Sequence, residues 1–85
     1  MKYPNAADHA RALGLQVGDT IEGTEHYGNG RWSTARLTLL WLGKEEAMWR
    51  VTAKAWDHPK WSQPRESGNW ALCCRDWQVL PPEVA

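Results

Sequence analysis

Seven tryptophans in a chain of 85 residues that has no phenylalanine constrain the fold more than any other feature. Tryptophan combines a large apolar ring with an N–H donor, so it suits both a wide core and a surface that binds a partner. A domain of this size buries only about 60 to 65 per cent of its unfolded surface, so each buried tryptophan matters to stability. The sequence therefore predicts one small domain, held by a few buried tryptophans without a disulfide or a metal.

Ten basic and ten acidic side chains leave the chain with no formal net charge. Net positive charge is what draws proteins to duplex DNA and to anionic membranes, so neither is expected as a partner. The sequence has no apolar run of about 18 residues, and its first residues lack the apolar stretch of a signal peptide. We therefore expect a soluble, cytoplasmic protein.

The N-terminal segment, 1–14, is predicted to form a short helix and its cap. Asn5 is a favourable N-cap, Asp8 lies in the first turn, and Gly14 follows the end of a helix over 5–13. Only a weak apolar stripe runs along this helix. We expect it to dock onto the core as a lid.

Hydrophobic patterns of period two predict a meander of three strands after the helix. The strands are expected over 19–27, 31–43 and 47–56. The glycine-rich turn around Asn29 suits a hairpin between the first two strands. By the same alternation, Trp41 and Trp49 are predicted to face the core.

The remaining residues are predicted to form one long loop and two short strands. The loop, 57–68, contains two prolines and a glycine. The segment 69–80 is predicted to form a short strand, a tight turn near Arg75 and Asp76, and a second short strand that places Trp77 in the core. Two prolines then end the segment.

Five short strands favour a barrel, because closure removes the exposed edges of a flat sheet. We predict a mainly β fold: a small five-stranded antiparallel barrel with a short N-terminal helix. The order of features resembles that of SH3-like barrels, in Val-Gly-Asp-Thr-Ile at 17–21, the long hairpin strands, and the final strand, turn and strand ending at Leu80. The resemblance covers 15–81, with 82–85 as a tail of the single domain. The family's acidic stretch followed by adjacent tryptophans is absent from the sequence, so binding of proline-rich ligands is not implied.

The length and the tryptophan-rich, cysteine-poor composition also resemble those of small uncharacterised bacteriophage and prophage proteins. This resemblance implies an accessory role, such as binding a host protein and modulating or inhibiting it. We accordingly predict a non-catalytic module whose partner is another protein.

Metal binding and cysteine chemistry are the enzyme-like alternatives. Cys73 and Cys74 could in principle bind a metal with His9, His26 and His58, but adjacent strand residues point to opposite faces and no metal-binding spacing occurs. A cysteine nucleophile would need a neighbouring base, and no motif joins a histidine to either thiol. We therefore expect no enzyme activity, no metal and no cofactor.

The stretch from Trp56 to Trp70 is the strongest candidate site, since it interleaves aromatic and basic residues and its prolines limit the entropy lost on binding. Its tryptophans could anchor a protein interface, or its rings could stack single-stranded bases. We predict a protein partner and keep single-stranded nucleic acid as the alternative. A structural role also stays open, with Trp61 folded over the barrel mouth and Trp56 and Trp70 at the edge of the core. The predicted binding residues are Trp56, Lys60, Trp61 and Arg65, with Trp32 and Tyr27 as outlying contacts.

Basic residues predicted on the outer face of the third strand extend this site. Arg50 and Lys54 share that face with Trp56, and Arg31 and Arg36 are expected on the neighbouring strand. A local basic strip can thus coexist with zero net charge. It would favour a defined protein patch, although a solvated face is the simplest alternative.

Overall fold

Five antiparallel strands form one sheet in the computed structural model, which describes residues 5–68, 70, 72 and 75–81. The elements are α1 (Ala6–Ala12), β1 (Thr20–Gly28), β2 (Arg31–Leu42), β3 (Ala47–Ala55), β4 (Arg65–Ser67) and β5 (Gln78–Val79). The strand order is β4-β3-β2-β1-β5. The predicted mainly β class, with five antiparallel strands and a short N-terminal helix, is confirmed.

The sheet is open in the described part of the chain, because its edge strands β4 and β5 do not pair with each other. Both edges are short, since β4 pairs with 49–51 and β5 with Ile21 and Glu22. Short edge strands offer little template for another chain. The predicted closure into a barrel is therefore not formed, and the protein protects its sheet edges by keeping them short.

The core lies on one face of the sheet, which we call the core face; the other is the outer face. Ile21 pairs with Leu37 and Leu37 with Val51, so their side chains meet on one side of three strands. Trp49 is completely buried on the same face, as its alternation predicts. The buried apolar cluster consists of Ala10, Leu15, Ile21, Leu37, Leu39, Ala47, Trp49, Val51 and Leu72.

The helix forms where the sequence predicts it. The Oδ1 atom of Asn5 accepts a hydrogen bond of 2.8 Å from the Asp8 backbone N–H, which caps the first turn. Gly14, with a φ of +74°, follows the helix end. The Arg11 guanidinium donates to the Gly43 carbonyl and so fastens the helix to the turn between β2 and β3. In the described part of the chain, no helix is long and apolar enough to span a membrane.

The predicted turn joins β1 to β2. Asn29 and Gly30 have φ angles of +54° and +75°, a left-handed conformation that asparagine and glycine tolerate best. The hairpin therefore follows from local sequence.

A β-bulge in β2 changes the faces of the residues after Leu39. Leu39 pairs with Trp49, but Trp41 pairs with Met48, so β2 carries one residue more than β3. The extra residue turns Trp41 to the outer face, where it is 54% exposed, and lets Leu42 pack against the core. The prediction that Trp41 faces the core is therefore wrong, because strict alternation does not foresee a bulge.

The C-terminal third differs from its prediction in two ways. The segment 57–68 is not loop throughout, since it contains β4. Of the two strands predicted over 69–80, β5 is the one present among the described residues. Trp77 is half-buried and packs against the core cluster, at its margin. The predictions for Cys73 and Cys74 lie outside the described residues.

Candidate functional site

The pairing of β2 with β3 gathers basic side chains on the outer face. Thr34 pairs with Lys54 and Arg36 with Thr52, so the two cations are diagonal neighbours. Arg50 shares this face, because it pairs with Thr38. Three of the predicted basic residues, Arg36, Arg50 and Lys54, therefore share the outer face, where Glu22 and Glu66 lie opposite the two arginines.

The chain after β3 folds back along the same strand and forms an arch over 58–62. Ala55 and His58 exchange backbone hydrogen bonds of 2.9 and 3.0 Å. Ser62 is bonded twice to Ala53, through its backbone N–H at 2.8 Å and its hydroxyl at 3.0 Å. Three residues of the arch thus lie opposite a single residue of β3. The extra length carries Trp61 over the outer face.

Trp61 is held there by two cations. The Cζ atom of Arg36 and the Nζ atom of Lys54 each lie 4.6 Å from its ring centre. Arg36 is itself anchored, since its Nε donates to the Glu22 carboxylate at 2.6 Å. At partly exposed sites each cation–π contact contributes about 0.5 to 1 kcal/mol. We call Trp61, Arg36, Lys54 and Glu22 the Trp61 cluster.

A second tryptophan lies at the same end of the sheet. Trp56 is 46% exposed, and the Cζ atom of Arg31 lies 5.4 Å from its ring centre. Its backbone N–H donates to the Trp32 carbonyl at 3.0 Å, which fixes it beside the half-buried Trp32. Trp61 folds back over the sheet, as the structural alternative predicts in part, whereas Trp56 is among the exposed large apolar residues and does not belong to the core cluster.

A groove of about 350 Å³ lies between β3 and the arch. Its apolar lining comes from Ala53, Ala55 and the Trp61 ring. Its lining also includes Lys54, His58 and Lys60, with the two serines Ser33 and Ser62. Among the described residues, no acidic side chain lines this groove.

Two predicted binding residues, Arg65 and Tyr27, lie differently with respect to this site. Arg65 is exposed and pairs with Val51, a core-face residue, so it lies on the opposite face from Trp61. The Tyr27 hydroxyl donates to Glu25 at 3.1 Å and lies 2.9 Å from the hydroxyl oxygen of Ser33, which lines the groove. The structure thus groups Trp56, Lys60, Trp61 and Trp32, places Tyr27 against Ser33 of the groove, and leaves Arg65 apart.

A buried arginine is the residue that sequence reasoning missed. Arg75, predicted in a turn, has a side chain that is only 13% exposed. Its guanidinium donates to the carbonyls of Gly23 and Ser33 at 3.2 and 3.1 Å and to the Ser33 hydroxyl at 3.0 Å. It also lies 3.8 Å from the Glu25 carboxylate. No motif in the sequence signals these contacts, which cross from the C-terminal segment to β1 and β2.

Two tryptophans cover this arginine. The rings of Trp70 and Trp77 meet edge to face with their centres 6.3 Å apart, and the Arg75 Cζ atom lies 5.8 and 5.9 Å from them. Gly23 makes room for the pair, because a Cβ there would lie 2.8 Å from a Trp77 ring carbon. We call Arg75, Trp70, Trp77, Glu25 and Ser33 the Arg75 cluster.

Within the part of the chain that the structure describes, no group of three or more histidine, cysteine, aspartate or glutamate side chains could hold a metal ion. Comparisons of the chain with protein-family models, with curated proteins and with solved structures found no match. The arch, the two tryptophans beside it and the groove are therefore the features of this chain that point to a function.

Proposed function

We propose that this chain is a non-catalytic protein-binding module, and that its partner binds the end of the sheet that carries the arch, around Trp56, Trp61 and the groove. The observation that carries the proposal is an exposed tryptophan, Trp56, fixed by Arg31 and by a backbone hydrogen bond beside an open groove. Tryptophan and arginine dominate the energetics of protein interfaces. Rings already fixed before binding lose little conformational entropy when a partner arrives.

The same contacts favour a protein over single-stranded nucleic acid. Bases stack on open aromatic faces. Here the ring of Trp61 is contacted by Arg36 and Lys54, and that of Trp56 by Arg31. The Trp61 ring, contacted by two cations, offers its edge and those cations, which suit the aliphatic and acidic side chains of a protein. Single-stranded nucleic acid remains the second candidate, supported by the basic strip.

The resemblances to SH3-like domains and to small phage proteins remain predictions. If they hold, the partner is a protein of a bacterial host, and binding modulates or inhibits it in the cytoplasm.

Site-directed photo-crosslinking tests the proposal. A photo-crosslinking amino acid replaces Lys60 at the groove, and in the matched control it replaces Lys44, an exposed lysine in the turn between β2 and β3. In a bacterial lysate we expect one discrete protein adduct from position 60 and none from position 44. Equal adducts from both positions, or adducts with nucleic acid alone, would contradict the proposal.

A further inference from the structure

We infer that the groove beside β3 binds an acidic segment of the partner, with one large apolar side chain seated against Trp61 and the alanines and with carboxylates against the lysines. This inference rests on the proposed function and specifies the chemistry of the partner.

The shape of the groove fits a side-chain anchor. Its volume of about 350 Å³ lies at the small end of the range for ligand pockets. Ala53 and Ala55 are small, and the Trp61 ring supplies a large apolar wall. An apolar side chain placed here would leave water without displacing part of the fold.

The charged side chains of the groove determine which residues of the partner can flank the apolar anchor. Lys54, His58 and Lys60 line it, and in the described part of the chain none of them is ion-paired with an acidic side chain. Lysine ammonium groups are compact charges on flexible stems, so they can follow carboxylates at several positions of a bound peptide. Charge complementarity of this kind sets both the association rate and the specificity.

The turn that leads into the arch carries one opposing charge. Asp57 is exposed and directly precedes His58, but it does not line the groove. The wall of the groove is apolar and the charged side chains that contribute to it are basic, although the chain as a whole has no net charge. Local charge, and not net charge, selects the ligand.

Selection from a display library of short random peptides tests the inference. The wild-type chain is expected to enrich peptides in which aspartate or glutamate flanks a single large apolar residue. A peptide made from that consensus and labelled with fluorescein then gives affinities by anisotropy. Lys60→Glu should weaken its binding about tenfold, because it replaces an attraction by a repulsion.

Three controls make the result specific. Lys44→Glu changes the net charge equally but lies outside the groove, so it should alter the affinity less than about twofold. Replacing the acidic residues of the peptide by their amides should reproduce the loss seen with Lys60→Glu. Trp61→Phe keeps an apolar wall and should retain binding better than Trp61→Ala.

Several outcomes would overturn the inference: no enrichment, a consensus without acidic residues, equal effects of Lys60→Glu and Lys44→Glu, or displacement of the peptide by an oligothymidylate. If any of these occurs while crosslinking from position 60 still captures one protein, the proposed function stands and the groove assignment alone fails. If crosslinking from position 60 also fails, both the proposed function and the groove assignment are contradicted.

Discussion

The two tryptophan and arginine clusters of this protein lie on opposite faces of one sheet and are built from the same side chains. In the Arg75 cluster, the guanidinium is almost buried and bonded to two backbone carbonyls, a hydroxyl and a nearby carboxylate. In the Trp61 cluster, Arg36 has one carboxylate partner and stays about one-third exposed. The difference indicates that the first cluster contributes more to the stability of the fold, and it leaves the second as part of the surface that we propose for binding.

Removing the buried guanidinium should have the largest effect on stability. Arg75→Ala leaves the Gly23 and Ser33 carbonyls without that donor and removes the packing under Trp70, so we expect a loss of about 3 kcal/mol. Urea unfolding followed by tryptophan fluorescence measures it. Arg36→Ala, the matched change on the outer face, should cost no more than about 1 kcal/mol. Equal losses would remove the distinction between the clusters.

A methyl group at Gly23 should have the next largest effect. Gly23→Ala forces a Cβ against the Trp77 ring in a packed region, and we expect a loss of about 2 kcal/mol. Gly43→Ala is the matched control, since its Cβ would also meet a ring, that of Trp41. Trp41 is exposed and can rotate away, so less than about 1 kcal/mol is expected there. Thermal unfolding of both variants measures the two losses of stability. Equal losses would show that burial of the tryptophan ring does not determine how much the added methyl group destabilises the fold.

Loss of the Trp61 ring should affect stability less and binding more. Trp61→Ala removes two cation–π contacts at a partly exposed site, which predicts a loss of stability of about 1 kcal/mol. The yield of the adduct from position 60 should fall sharply in this variant. A stability loss as large as that of Arg75→Ala would show instead that Trp61 is structural.

The ion pair beneath Trp61 should contribute least. Glu22→Gln removes the partner of Arg36, and since both groups are about one-third exposed we expect about 0.5 kcal/mol, measured by urea unfolding at low ionic strength. The difference from the wild type should disappear at high salt, where exposed charges are screened. A difference that persists at high salt would mean that the pair is effectively buried.

Local sequence predicts the elements that local chemistry controls. The Asn5 cap, the turn at Asn29 and the buried Trp49 follow from side-chain preference and strand alternation, and all three are confirmed. The bulge that exposes Trp41 depends on how two strands pair, so alternation within one strand misses it. Barrel closure failed as a prediction for the same reason, because it needs pairing between β4 and β5.

The candidate site was predictable in part. Trp56 and Lys60 are close in sequence, and the alternation of β3 placed Lys54 near them. The arch could not be predicted, because it depends on backbone hydrogen bonds to Ala53 and Ala55 that place three of its residues opposite one residue of β3. No pattern of side chains in the sequence signals these bonds. Short strands at the sheet edge have too few residues for their hydrophobic pattern to fix the register. The sequence therefore could not predict which face of the sheet Arg65 occupies.

The most direct test of the account compares two tryptophans that are about equally exposed. Once crosslinking has identified the partner, its affinity is measured for Trp56→Ala, beside the groove, and for Trp41→Ala, at the other end of the outer face. We predict that Trp56→Ala weakens binding by at least about 30-fold, as expected for a central interface residue, and that Trp41→Ala leaves it within about twofold. Equal affinities of the two variants would contradict the assignment of the binding surface.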